Sequence, residues 1–268
     1  CTQNSLSTVP EFLKTRRPGL KTGAVLLGLL MSVRATCGGD TVKKPTEAGS
    51  PDDLSKAETQ QFFSETALRY PQYKSLAVSF TLKGKVNNEE LYYEGELSAK
   101  GDDLRIHLKD AVFLSPLLTL DIGKERVKLK DHARNKTESI PRSEYQWVDL
   151  FGRAFPLRFF EPLMRGFLPA DANDRESSFA KTSAGEILVR ANNPSYEAAM
   201  YFNNASLQKI FYRDKVRGEI LVFYLGNFFK KRAYPQTLKI EHSRTNDHLT
   251  LAFRGLRLTG EETPAQKP

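Results

Sequence analysis

Cysteine, histidine and long apolar runs are scarce in this sequence. There are two cysteines and four histidines among 268 residues, and they are not spaced as metal ligands usually are. Neither the G-x-S-x-G nucleophile motif nor the phosphate-binding motif G-x-x-x-x-G-K-S/T occurs. This scarcity argues against a disulfide framework, a metal centre and the commonest hydrolase and nucleotide sites. We therefore predict that the protein is not an enzyme and uses no cofactor.

The most apolar run is short, because it covers only residues 24–33, whereas a helix that crosses a bilayer needs about 20 residues. A basic segment precedes the run and Cys37 follows it, which is the layout of a secretory signal. With Cys37 at its end, the segment resembles a bacterial lipoprotein signal, in which the cysteine becomes the lipidated first residue. The alternative is a plain export signal followed by a cysteine that has no such role.

The charge is mildly basic, with a formal net charge of +8 and a pI of about 9.3. Such a charge suits an anionic membrane surface. Along the chain there is no run of lysine and arginine interleaved with aromatic residues, so we predict no nucleic-acid partner.

Composition divides the chain into four segments. We predict a leader at residues 1–36, a lipidated flexible tether at 37–55, a folded domain at 56–258 and a polar tail at 259–268. The tether is polar and contains several Gly and Pro residues. The domain begins with a predicted amphipathic helix, since Ser55 and Glu58 form a capping box and Pro71 ends the pattern.

Beyond Pro71 the apolar residues alternate with polar ones, and turn residues separate the runs. The spacing predicts a meandering antiparallel sheet, interrupted by two short apolar helices that begin near Ser143 and Pro156. The predicted fold is mainly β (α+β): a curved antiparallel half-barrel of about eleven strands with a helical lid in its concavity.

One connection between two predicted strands is unusually apolar. Residues 110–115 read DAVFLS, although turns usually carry Gly, Asn, Asp or Ser. Val112, Phe113 and Leu114 cannot all fold back onto the same face of the sheet. Either one or two of them tuck under a neighbouring loop, or the three form a hydrophobic finger directed at a lipid or a partner.

The order of helix, strands, helix pair and strands resembles the bacterial lipoprotein-localisation family (LolA/LolB-like). The helix pair carries the motif G-x-x-F-P-L at residues 152–157 and L-x-x-G-x-L-P at 163–169. Three features are closer to the outer-membrane receptor LolB: Cys37, the helix pair and the apolar loop. The receptor's loop resembles N-P-L-G, whereas Asp110 and Ala111 stand here in place of Asn-Pro.

The resemblance implies a lipid-anchored receptor or carrier in the outer membrane, facing the periplasm. It would bind lipoprotein acyl chains in a hydrophobic cavity and help insert lipoproteins into the outer membrane. The implied partners are acylated lipoproteins or lipid, a soluble LolA-like carrier, and the membrane itself. The finger would insert into the membrane, and the predicted cavity and lid comprise Phe80, Leu82, Leu104, Ile106, Trp147, Phe151, Phe160, Met164, Val189, Phe202 and Val222. The alternatives are a lipoprotein that acts as an interaction module with a filled core, and a carrier of other hydrophobic ligands.

Overall fold

The computed structural model describes residues 52–70, 73–150, 153–173, 177–229 and 234–260. The leader, Cys37 and most of the predicted tether lie outside these residues, as does Phe151. The predictions that concern them stay predictions.

The described residues form sixteen strands and two α-helices. The helices are α1 (Lys56–Arg69) and α2 (Leu157–Arg165), and short 3-10 helices occupy Arg142–Glu144 and Ala170–Asn173. The first nine strands are β1 (Asp52–Asp53), β2 (Ser75–Val86), β3 (Glu89–Lys100), β4 (Asp103–Asp110), β5 (Pro116–Ile122), β6 (Arg126–Asp131), β7 (Lys136–Pro141), β8 (Trp147–Leu150) and β9 (Arg153–Pro156). The others are β10 (Ser178–Lys181), β11 (Ile187–Asn192), β12 (Tyr196–Asn203), β13 (Ser206–Asp214), β14 (Ile220–Phe228), β15 (Pro235–His242) and β16 (His248–Thr259).

Fourteen strands build one curved antiparallel sheet that does not close, in the order β1-β10-β11-β12-β13-β14-β15-β16-β2-β3-β4-β5-β6-β7. Two meanders, β2–β7 and β10–β16, join where β16 pairs with β2. This confirms the predicted mainly β half-barrel. The sequence predicted about eleven strands, and it missed β1, β7, β8, β9 and β10, all of six residues or fewer.

Both crossovers between the meanders lie on the concave face of the sheet. The chain runs from β1, at one edge, through α1 to β2, and from β7, at the other edge, through α2 to β10. Ser55 caps α1 and forms the predicted capping box with Glu58. The ring of Phe62 on α1 lies 5.0 Å from that of Phe202 on β12. Both helices therefore pack over the concavity, and α2 is one of the two helices predicted to form the lid.

The concave face carries an almost continuous apolar surface, because paired strands place their apolar residues in register. One row runs Val189, Met200, Ile210, Phe223, Ile240 and Leu249 across six neighbouring strands. Gly95 lies under the ring of Phe80, where an added Cβ would stand 2.2 Å from Phe80 Cζ. The Phe80 ring can pack closely against the neighbouring strand only because residue 95 is a glycine and has no side chain.

The helix predicted to begin near Ser143 does not form. After a single 3-10 turn, β8 and β9 pair as a separate hairpin in which Val148 lies opposite Phe155. Trp147 and Val148 of β8 and Phe155 of β9 are residue types that favour strands, and only residues 151–152 separate the two strands. The second predicted helix is confirmed as α2, with Pro156 at its N-cap and Gly166 in the left-handed conformation at its end.

Val222 does not face the concavity, contrary to the prediction. It lies opposite Phe211 and Glu241, whereas its neighbour Phe223 lies in the concave row. Residues 220–223 read ILVF, and an uninterrupted apolar run gives no alternation from which the inward residues could be chosen.

Two histidines on the outer face of the sheet share one hydroxyl group. The Nδ1 atom of His107 lies 2.8 Å from Thr119 Oγ1, and that oxygen lies 2.9 Å from Nε2 of His132. Burial of the ring lowers the pKa of His107. The neighbouring Lys109, His132 and Arg105 lower it further, whereas Glu96 raises it.

We expect the free energy of unfolding to decrease as the pH falls below 6.5, the usual pKa of histidine. The unfolded chain binds a proton at His107 more readily than the folded chain does. The stability that the neutral His107 side chain contributes is therefore complete above pH 6.5 and is lost as the pH falls through the lowered pKa of the folded chain. Chemical unfolding of the wild type and of His107→Asn at a series of pH values from 7.5 to 5 measures it, and the variant should depend less on pH. Identical pH profiles would contradict the expectation.

Candidate functional site

The loop between β4 and β5 presents three consecutive apolar side chains to solvent. Val112, Phe113 and Leu114 are 75%, 81% and 59% exposed. They do not tuck under a neighbouring loop, so the three form a projecting group, which we call the finger. Exposed apolar side chains in such a group are uncommon unless they meet a lipid or a partner.

The finger has a well-defined backbone. Asp110 Oδ1 accepts hydrogen bonds from the N–H groups of Val112 (2.9 Å) and Phe113 (2.8 Å), and its carbonyl accepts one from Leu114 N–H at 2.9 Å. Leu114 has a φ of 54°, in the left-handed region, which is strained for a residue with a branched side chain. The loop thus holds its apolar side chains outward with local hydrogen bonds.

Most of the predicted cavity residues are packed against one another on the concave side. Phe80, Leu82, Leu104, Ile106, Val189 and Phe202 of the sheet, and Phe160 and Met164 of α2, are at most 6% exposed and belong to one apolar core. Trp147 is half-buried at the start of β8. The concave face is therefore closed by α2, together with Phe62 of α1 and with Val148 and Phe155 of the β8–β9 hairpin.

Polar contacts fasten the C-terminal half of α2 to the sheet. The hydroxyl of Tyr234 donates to the carbonyl of Met164 at 3.0 Å, and the hydroxyl of Tyr73 donates to that of Arg165. Burial raises the pKa of both tyrosines, so both hydroxyls stay protonated and can donate. The Tyr234 ring also lies against Gly166, where a Cβ would stand 2.3 Å from Tyr234 Cδ2.

A largely buried ion cluster completes the attachment. Glu161 accepts from Arg142 Nη2 at 2.6 Å and from Arg165 Nε at 3.0 Å. Arg165 also donates to the carbonyls of Gly101 (2.9 Å) and Asp102 (2.5 Å), in the turn between β3 and β4. We call Arg142, Glu161 and Arg165 the α2 latch, because they tie the helix to the strand ends beneath it.

The solvent-facing side of α2 borders a cleft of about 1240 Å³. Charged and aromatic side chains pair along its walls. Arg158 lies 4.2 Å from the Tyr196 ring centroid and 2.8 Å from Asp171. Arg217 lies 4.3 Å from the Trp147 ring centroid. The cleft is thus lined by charged, aromatic and aliphatic side chains together, unlike the purely apolar cavity that the sequence predicted.

The finger and the cleft lie at opposite ends of β4. Asp102, next to the first residue of β4, lines the cleft, and Asp110, its last residue, begins the finger. Eight residues of strand extend about 25 Å. A surface that contacts the finger therefore leaves the cleft accessible.

Sequence reasoning found the finger and most of the concave residues but missed the latch. Glu161 and Arg165 are four residues apart on α2, a spacing that could have suggested an ion pair. Arg142, Tyr73 and Tyr234 come from distant parts of the chain, and nothing in the sequence pairs them with α2.

The described residues contain no group of three or more His, Cys, Asp or Glu side chains that could hold a metal ion. No helix among these residues is long and apolar enough to cross a bilayer.

Comparison with known proteins shows likeness in fold. No protein-family model and no curated protein matches the sequence. A domain from Vibrio parahaemolyticus, provisionally named an outer membrane lipoprotein-sorting protein domain, matches at a TM-score of 0.52 and 14% identity, over 75% of this chain and 92% of that one. A DUF1329 family protein from Desulfovibrio piger matches at a TM-score of 0.53 and 9% identity, over 77% of this chain and 93% of that one. At these identities the likeness shows that the fold is shared.

Proposed function

We propose that the protein is a lipid-anchored carrier or receptor of the outer membrane, facing the periplasm, which binds lipoprotein acyl chains and helps insert lipoproteins into that membrane. The observation that carries the proposal is the finger, a preformed loop with three apolar side chains that are 59–81% exposed. A lipid anchor at Cys37 would hold the finger near a bilayer.

The concave face supports acyl binding by its chemistry. It is apolar across its width, and among the described residues it is covered by α1, by α2 and by Val148 and Phe155 of the β8–β9 hairpin. Each methylene of an acyl chain that leaves water for such a surface contributes about 0.8 kcal/mol. Because α2 closes the face, an acyl chain enters when the latch opens and α2 moves off the sheet.

A second candidate function is an interaction module whose core stays filled. It is favoured by the close packing of α2, in which Met164 and Phe159 are 0% exposed. In that case the cleft beside α2, and not the concave face, would meet the partner.

Uptake of a fluorescent fatty acid by the chain from residue 38 onward tests the proposal, with native mass spectrometry and lipid extraction alongside. We expect saturable binding of about one fatty acid per protein, and co-purifying lipid or acylated peptide. The variant Phe113→Glu should bind equally well, because the finger is about a strand length from α2. A bare protein that takes up no fatty acid would contradict the proposal and favour the filled module.

A further inference from the structure

The outer face of the sheet carries a row of alternating tyrosines and lysines that the linear sequence does not reveal. In-register pairing aligns one residue from each of seven neighbouring strands, β12 to β16, then β2 and β3. We call this row the Tyr–Lys ladder, and its members in spatial order are Tyr201, Lys209, Tyr224, Lys239, Thr250, Lys83 and Tyr92.

The ladder faces away from the apolar core, because each member follows or precedes a concave residue on its strand. Tyr224, for example, lies between Phe223 and Leu225, both of which are in the core. Tyr92 is 50% exposed and Tyr224 is 38% exposed, and Lys83 and Lys239 are exposed. The row is therefore open to a partner.

The tyrosine rings and lysine ammonium groups are close enough to act together. Lys83 Nζ lies 4.8 Å from the Tyr92 ring centroid, and Lys209 Nζ lies 5.6 Å from those of both Tyr201 and Tyr224. Such contacts hold the long lysine side chains in place. Lys239 pairs with Glu241 at 2.5 Å, whereas Lys83 and Lys209 form no ion pair within the described residues.

The period of the ladder selects the kind of partner. Neighbouring strands are about 4.8 Å apart, so the three lysines recur about every 10 Å and the whole row spans roughly 29 Å. Lys209 and Lys83 therefore stand two such periods apart, with Lys239 and its partner Glu241 midway between them. A nucleic-acid strand carries a charge about every 3.4 Å along a duplex, which is much denser than the lysines. A flat bilayer touches a convex row over only part of its length. An extended glycan with one carboxylate per disaccharide has the matching charge spacing, and its pyranose rings offer apolar faces to the tyrosines.

We propose that the Tyr–Lys ladder binds an acidic polysaccharide along the outer face of the sheet. This site is separate from the concave face and from the finger, so it does not depend on the proposed acyl binding. A protein held at a membrane by its anchor and finger would then also contact an anionic glycan.

The test uses the full chain with Cys37→Ser, Phe113→Glu and Leu114→Glu, which removes the site of acylation and the affinity of the finger for lipid from every measurement. The probe is a hyaluronan oligosaccharide long enough to span the ladder, with neutral dextran, single-stranded DNA and phosphatidylglycerol liposomes as competitors. We expect the protein to bind hyaluronan with an affinity that falls as the salt concentration rises. It should prefer hyaluronan to all three competitors.

Four double variants locate the site. Tyr92→Ala with Tyr224→Ala, and Lys83→Gln with Lys209→Gln, should each weaken hyaluronan binding about tenfold or more. Tyr92→Phe with Tyr224→Phe keeps the rings and should bind as the wild type does. Lys128→Gln with Lys130→Gln removes the same charge from the exposed outer face of β6, away from the ladder, and should change little.

Three results would overturn the proposal: no binding of hyaluronan, a preference for DNA or liposomes, or an equal loss in the β6 control. Circular dichroism and thermal unfolding of each variant show whether it folds. If an alanine variant unfolds, the lysine pair and the phenylalanine pair still decide the outcome.

Discussion

Replacing Phe113 and Leu114 with glutamate should abolish the association of the protein with anionic liposomes and leave its thermal stability unchanged. The two side chains are 81% and 59% exposed, so the folded protein loses little packing. Moving a phenylalanine and a leucine from water into lipid is worth roughly 3 to 6 kcal/mol together, and each glutamate adds a charge that repels anionic headgroups. We therefore expect liposome affinity to fall by at least about 100-fold.

Liposome co-sedimentation of the full chain with Cys37→Ser measures this effect without a contribution from an acyl anchor. Val216→Glu is the matched control, because Val216 is 82% exposed on another loop and has a similar backbone: Asp214 Oδ1 accepts from Val216 N–H at 2.7 Å, as Asp110 does from Val112. The control should bind liposomes nearly as the wild type does.

Two outcomes would remove the finger from the proposed function. A large drop in melting temperature for the double variant would mean that the side chains stabilise the fold. Equal liposome binding by the variant and the wild type would mean that another surface meets the membrane. In either case fatty-acid uptake remains a separate measure of the concave face.

Much of the fold follows from local patterns. Ser55 and Glu58 define the start of α1, Pro156 defines the start of α2, and clear alternation with turn residues defines the long central strands. The errors have local causes too. β8 and β9 are four residues each, too short for a period to be distinguished from a helical turn, and the run ILVF in β14 hides which residues face inward.

The site was less predictable because it depends on contacts between distant residues. The finger could be predicted, since three apolar residues in a turn violate a local rule. The latch residues come from α2 and from the segment after β7, and Arg165 also bonds to the turn after β3. The ladder draws its seven members from seven strands, so a scan along the chain finds no basic aromatic stripe, whereas the register of the sheet creates one.

Close packing of the concave face and a lipid-binding role are compatible only if α2 can leave the sheet. α2 has nine residues and contains Pro162, so few backbone hydrogen bonds hold it together as an isolated helix. Its apolar side favours the closed state, and the latch adds a polar contribution on the opposite side. The latch is the part that can be weakened without changing the apolar surface that an acyl chain would meet.

Glu161→Ala should therefore lower the free energy of unfolding by about 3 kcal/mol and should also speed fatty-acid uptake. Glu161 is 7% exposed and Arg165 is 6% exposed, and removing one partner of a buried pair typically costs about 3–5 kcal/mol because the other charge stays buried without compensation. We expect the lower end of that range, since Arg165 keeps its hydrogen bonds to the carbonyls of Gly101 and Asp102. Denaturant unfolding measures the first effect, and stopped-flow fluorescence measures the second.

Glu96→Ala is the matched control for the latch variant. Glu96 pairs with Lys109 at 2.6 Å, but the carboxylate side chain is 62% exposed, so its loss should cost less than about 1 kcal/mol and leave uptake unchanged. If Glu161→Ala destabilises the protein as expected but uptake is neither faster nor greater, α2 is a fixed part of the core. That result would favour the interaction module, because weakening the contacts that hold α2 would then have opened no path to the concave face.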